Sequence, residues 1–248
     1  MRRNEDNRKG TAVVEDLSRD DLVQCIDRLV QELLTQAGVE SPPVDAVALA
    51  RHLGLDLDEG RKRGRKKPTS AEEVPRASTP EAQQWNAAQT IGEHFKATLL
   101  ERLGFAPDEK RPMLGESLSG LFARHLLVPG VWFSADAPSC GYDLYQLKER
   151  YRTASHEVIA FRLLDLPEPC IITIVEDDKV HRRRSNAWPV KKRLEPAEVE
   201  CRRCVTRNGE PHVVRSGGWT VWGWAVWQGG RNREILRSVV DIDALESG

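Results

Sequence analysis

Gln83-Gln84-Trp85-Asn86-Ala87-Ala88-Gln89-Thr90-Ile91-Gly92-Glu93 is the stretch on which the fold turns. Just upstream, Thr79-Pro80-Glu81 supplies a capping hydroxyl, a proline suited to a first turn and an acid suited to the positive helix end. The spacing predicts one long helix that begins at Thr79 and closes at Gly104. Trp85, Ala88, Gly92, Phe95 and Leu99 share one face of it. Gln89 and Glu93 fall one turn apart beside that face. A second helix is predicted from about Gly115 to Leu127, with Leu118, Leu121, Phe122, Ala123 and Leu126 apolar and Pro129-Gly130 as the stop.

Outward from this pair, residues 1–16 read as a disordered polar arm. Ser18-Arg19-Asp20-Asp21 opens an amphipathic helix carrying Leu22, Ile26, Leu29, Val30, Leu33 and Leu34, and Gly38 closes it. A short helix follows near Pro43-Val44-Asp45 and stops at Gly54; Leu55-Asp56-Leu57 alternates like an edge strand. Residues 59–80 form a basic flexible loop. Its like-charge block Arg61-Lys62-Arg63-Gly64-Arg65-Lys66-Lys67 repels itself and favours solvent. Arg61, Lys62, Arg63, Arg65, Lys66 and Lys67 are the candidate nucleic-acid contacts, since clustered cations can neutralise phosphates. No aromatic residue is interleaved with them, which argues against base stacking there.

Residues 143–166 read as a helix pair. Leu144, Leu147 and Tyr151 line the first helix; Ser155 caps the second, with Ile159, Leu163 and Leu166 inward. An interdomain scaffold is the preferred role of this pair. A DNA reader would have to use His156, Glu157 and Arg162, and Glu157 is acidic. The remainder reads as β-rich: Ile171-Ile172-Thr173-Ile174-Val175 is a strand, Glu176-Asp177-Asp178 its turn, and Val180 begins the return. Residues 219–227 form another strand. Parity puts Trp219, Val221, Gly223, Ala225 and Trp227 on one side and Thr220, Trp222, Trp224 and Val226 on the other. Aromatics on both sides predict a strand buried on both faces, or an association surface.

The chain has 248 residues, 40% hydrophobic and 30% charged, a globular profile. Its 37 basic and 38 acidic residues nearly cancel, so the net field steers it toward neither nucleic acid nor membranes. The polar start and the absence of a long apolar run predict a cytoplasmic protein without membrane association. Five cysteines, Cys25, Cys140, Cys170, Cys201 and Cys204, predict reduced thiols. Only Cys201 and Cys204 have ligand-like spacing, and a zinc knuckle would need His181 and His212 besides.

With its order of elements, the chain resembles the ImmA/IrrE family of zinc metallopeptidase-like regulators. Family members read Arg-x-x-Phe-Thr-x-Ala-His-Glu-(Ile/Leu)-Gly-His on the active-site helix; here Ala88, Ile91 and Gly92 match that frame. Downstream the family has Glu-x-x-Ala-x-x-Phe-Ala and then Leu-(Leu/Met)-x-Pro. This chain has Glu116, Ser119, Phe122-Ala123 and Leu126-Leu127-Val128-Pro129 in those places. Leu147 to Leu163 is a version of the family's helix-turn-helix-like stretch. The resemblance implies an α+β fold: a zincin-like helical domain with a small sheet over 17–141, a helix-turn-helix-like pair over 142–168 and a β-rich C-terminal region over 169–248. It puts Gln89, Glu93 and Glu116 at the metal-ligand positions and Thr90 at the general-base position.

A catalytic zinc takes about three strong ligands and an open site for water. Gln89 offers a neutral amide oxygen, and Thr90 cannot serve as a base near neutral pH. The set suits a weakly held hard cation better than zinc. Whether the chain is an enzyme is therefore left open by the sequence. No cofactor is expected, with zinc or another divalent cation as the alternative. The resemblance implies a regulatory role in transcription or stress response, and the preferred reading is a pseudopeptidase that binds a partner protein such as a helix-turn-helix repressor. An active, divergent metallo-endopeptidase that cleaves a repressor is the first alternative. A nucleic-acid-associated regulatory factor is the second.

Overall fold

Helix α1 (Arg19–Gln36) lays six buried apolar side chains along one stripe, from Leu22 to Leu34. The computed structural model describes residues 19–57, 79–105, 117–228 and 231–241. The polar arm 1–16, the basic residues 61–67 and Glu116 lie outside the described residues.

Helix α2 (Ala46–His52) is capped by Asp45, whose carboxylate accepts from the Ala48 amide. It ends at Gly54, where φ is 70° and the Leu55 amide donates back to the Ala50 carbonyl at 2.9 Å. That closure consumes the backbone of Leu55, so residues 55–57 are not the expected edge strand. Gln84 holds α2 to the next helix: its Oε1 accepts from the Ala46 amide at 2.7 Å, and its Nε2 donates to Asp45.

The long helix predicted from Thr79 is two helices, α3 (Pro80–His94) and α4 (Lys96–Arg102). The break falls at Phe95, whose ring stacks on Phe122 at 6.2 Å and meets His94 edge-on. Helix α5 (Leu118–Leu127) is buried along its whole length. It starts later than the apolar spacing suggests, because the Ser117 hydroxyl caps it by accepting from Gly120. Gly92 is the contact point between α3 and α5. A Cβ there would lie 3.1 Å from Ser119 Cα, Ser119 O and Phe122 Cβ. Helix α5 stops at Leu127, just before Pro129-Gly130 as expected, but a further helix begins at once. Pro129 precedes α6 (Gly130–Ser139), its fixed φ favouring helix entry.

Helices α7 (Leu144–Arg150) and α8 (His156–Arg162) are the expected pair, with Asp143 and Ser155 as caps. A five-stranded antiparallel sheet follows: β1 (Ile171–Glu176), β2 (Lys179–Ser185), β3 (His212–Ser216), β4 (Trp219–Gln228) and β5 (Arg231–Val240). Its order is β2-β1-β5-β4-β3. The architecture is α+β, and every strand among the described residues comes after the helix pair.

The sheet is covered on both faces. Ile172, Ile174, Trp224, Val226 and Ile235 join the core built by α1 to α8. The opposite face carries α9 (Pro196–Asn208), which packs on β3, β4 and β5 through Ala197, Cys201 and Val205 over Val214, Val221, Ala225 and Leu236. The Trp strand therefore alternates as its parity predicts, and only Trp227 stands out, 75% exposed. Cys201 and Cys204 sit on α9, a helix within the region that the sequence reads as β-rich. The Cys201 thiol lies over the carbonyls of His212 and Val221, and burial followed by its neighbour Cys204 pushes it up to about 12. A thiol held protonated in this way suits core packing rather than metal ligation.

Candidate functional site

A cleft of about 690 Å³ opens where α3, α5, α8 and β2 meet. Thr79, Glu81, Trp85 and Gln89 line it from α3; Ser117, Gly120 and Arg124 from α5; Ser155, Glu157 and Phe161 from α8; Arg182 and Arg184 from β2. The three hydroxyls in its wall are all occupied as helix caps. Thr79 accepts from Ala82, Ser117 from Gly120 and Ser155 from Val158. Among the described residues none has a His or carboxylate partner of the kind that activates a nucleophile.

The cleft's charges are mutually engaged. Glu81 pairs with Lys148 at 3.2 Å, and Glu157 holds both Arg182 at 2.7 Å and Arg233 at 2.9 Å. Arg182 and Arg184 lie over the Phe161 ring, at 6.0 and 5.4 Å from its centroid. Arg183 points to the sheet's other face, where its Nη1 donates to Glu198 and Thr173 at 2.7 Å. Strand alternation thus splits the run 182–184 between two environments, and it forms no continuous basic patch.

Of the family-motif positions, Gln89 lines the cleft while Glu93, one turn on, is 57% exposed and reaches Lys96 at 3.7 Å. The Thr90 hydroxyl donates to the Asn86 carbonyl at 3.0 Å. A neutral amide, a carboxylate engaged at the surface and a hydroxyl spent on its own helix do not suit a catalytic zinc. Among the described residues no three His, Cys, Asp or Glu side chains gather as a metal site would require.

Behind the cleft lies a charge network that sequence spacing does not reveal. Asp27 of α1 sits 2.8 Å from His125 Nδ1 and accepts from Arg162 Nη2 at 2.7 and 3.0 Å. Arg162 also donates to Asp165 and to the Val128 carbonyl. Arg19 closes the far side on Asp165 at 2.9 Å. Burial works to raise the Asp27 carboxyl, but its hydrogen bond with His125 and the charge of Arg162 hold it at about 2. Burial, with Arg162 beside it, lowers His125 below its ordinary range, so the ring is neutral at pH 7.

Arg162 is therefore sealed, 3% exposed, and no DNA contact is open to it. His156, lowered to about 4 by burial and then by Lys148, carries no charge for a phosphate. Leu144 and Leu147 of α7 and Ile159, Ala160 and Phe161 of α8 pack into the core.

No protein-family model matches the chain, and no curated protein matches it. Among solved structures, a Mycobacterium tuberculosis transcriptional regulator shares the fold with a TM-score of 0.59. The match covers 92% of this chain and 79% of that one at 16% identity, a likeness of fold alone. No helix among the described residues is long and apolar enough to cross a membrane.

Proposed function

We propose that this chain is a regulatory protein of the ImmA/IrrE type, working in transcription or stress response, that holds a segment of a partner protein in the α3–α5–α8 cleft without hydrolysing it. The observation that carries this reading is the state of the motif helix. Its frame survives, with Gly92 seating α3 on α5, while Thr90 is bound to its own backbone and Glu93 faces solvent. Trp85, Gln89 and Phe161 give the cleft an amphipathic lining suited to a peptide. The shared fold with a protein named as a transcriptional regulator supports the regulatory part. A helix-turn-helix repressor is the partner the resemblance favours.

The test joins metal content to complementation. Purified protein should hold no stoichiometric zinc, and Glu116→Ala should restore regulation in a deletion strain as well as wild type does. Val158→Arg, which fills the cleft, should not restore it. Stoichiometric zinc that disappears in Glu116→Ala, together with loss of complementation by that variant, would establish the divergent peptidase instead.

A further inference from the structure

A second depression, unrelated to the motif helix, lies on the far side of the sheet between α9 and the segment that joins it to β2. It measures about 1260 Å³, above the usual range for a small-molecule pocket. Trp188, Val190, Val199 and Trp219 supply its apolar surface. Val199 is 41% exposed, one of only four large hydrophobic side chains so exposed among the described residues.

Three cations stand around that surface: Lys191 and Arg193 from the connecting segment and Arg203 from α9. All three are exposed, and none has an ion pair or hydrogen bond among the described residues. By contrast the buried or half-buried Arg162, Arg183, Arg202, Arg233 and Arg237 each hold a carboxylate. The acids at this rim do not offset the cations. Glu195 is committed to the capping box of α9, so Glu200 is the one left facing the groove.

Pro196, Val199, Glu200 and Arg203 stand at i, i+3, i+4 and i+7, so they present a single helix face to the groove. An apolar floor with unpaired cations on its rim matches a peptide whose apolar side chains point down and whose carboxylates reach the rim. Single-stranded nucleic acid fits less well. Its bases would need open aromatic faces, whereas Trp188 and Trp219 are both half-buried and most of the floor is aliphatic.

We infer that this groove is a docking site for an acidic, apolar peptide segment of a partner protein, separate from the α3–α5–α8 cleft. The test is fluorescence anisotropy with a labelled peptide of Asp-Leu-Leu-Asp repeats. Its counterparts are the same peptide with Asn or Lys in place of Asp, and labelled oligothymidylate. The acidic peptide should bind in the micromolar range at low salt. Affinity should fall about tenfold or more in the triple variant Lys191→Glu, Arg193→Glu, Arg203→Glu and in Val199→Asp. These positions are exposed, and unchanged thermal melting checks that the variants fold. The Val158→Arg variant should leave the binding untouched, which separates this groove from the cleft. Failure of the acidic peptide to bind, equal binding of the Lys peptide, or tighter binding of oligothymidylate overturns the inference.

Discussion

Replacing Gly223 with alanine would put a methyl group 2.8 Å from Val205 Cγ2 and 2.9 Å from Cys201 Sγ. Neither neighbour is the far end of a flexible chain, so α9 would have to lift from β4. Gly223→Ala should lose about 1–3 kcal/mol in urea unfolding, the usual range for overpacking. A midpoint equal to that of wild type would show that α9 is not seated as described. The Asp27–His125 pair sets a pH dependence whose sign follows from both shifts. His125 has its folded pKa depressed, so its share of stability is complete above about 6.5 and falls as pH drops below that. Asp27 falls from 3.8 to about 2, so its share, up to about 2 kcal/mol, is complete above 3.8 and lost as pH falls toward 2. Melting temperature should therefore decline in two stages on acidification. His156, lowered to about 4, contributes to the upper stage as well, so His125→Asn should shrink that stage and keep the lower; a profile flat from pH 7 to pH 4 in wild type would contradict the assignment.

Helix α9 shows what an element needs beyond its own pattern. Glu198 is fully buried, and it accepts from the Glu195 amide at 2.8 Å, from Arg183 at 2.7 Å and from Ser238 at 2.6 Å. One side chain thus completes a cap and neutralises a guanidinium that belongs to strand β2. Glu198→Ala should cost about 3–5 kcal/mol by leaving Arg183 buried without its charge partner. Thermal melting reads the loss, and a change below about 1 kcal/mol would mean water reaches Arg183. The same element marks the limit of what sequence reveals. Helices α1, α5, α7 and α8 announce themselves through apolar spacing and caps, and β1 and β4 through runs of Ile, Val and Trp. α9 reads as polar because its contacts come from one narrow face. β5 hides because Arg233, Glu234, Arg237 and Ser238 break its alternation, yet all find partners on other elements. The cleft is half legible for a similar reason: Gln89 and Trp85 follow from the motif helix, whereas Arg124, Phe161 and Arg184 converge on it only through the fold.

At the scale of the molecule, one apolar core runs from α1 to β5. Its helical and sheet parts are joined by Arg237, which lies between the Tyr142 and Trp222 rings at 4.2 and 4.7 Å and reaches Glu168 at 2.7 Å. The Tyr145 hydroxyl adds a second tie by donating to the Ala225 carbonyl. Helix and sheet should therefore unfold together. Far-ultraviolet circular dichroism, dominated by the helices, and tryptophan fluorescence, weighted to the sheet, should give coincident urea transitions. Arg237→Ala should lower the midpoint or separate the two curves; unaltered, coincident curves in that variant would show that the sandwich carries no coupling.

Among the described residues strand β2 forms one border of the sheet, with β1 as its single neighbour. Its backbone would otherwise be a template on which a second chain could extend the sheet. Lys179 and Arg182 stand exposed along that border, and charged side chains there disfavour pairing with an approaching copy. Arg182 thus guards the edge as well as lining the cleft. Exchanging Arg182 and Arg184 for valine should leave the fold intact while raising light scattering during refolding at high protein concentration.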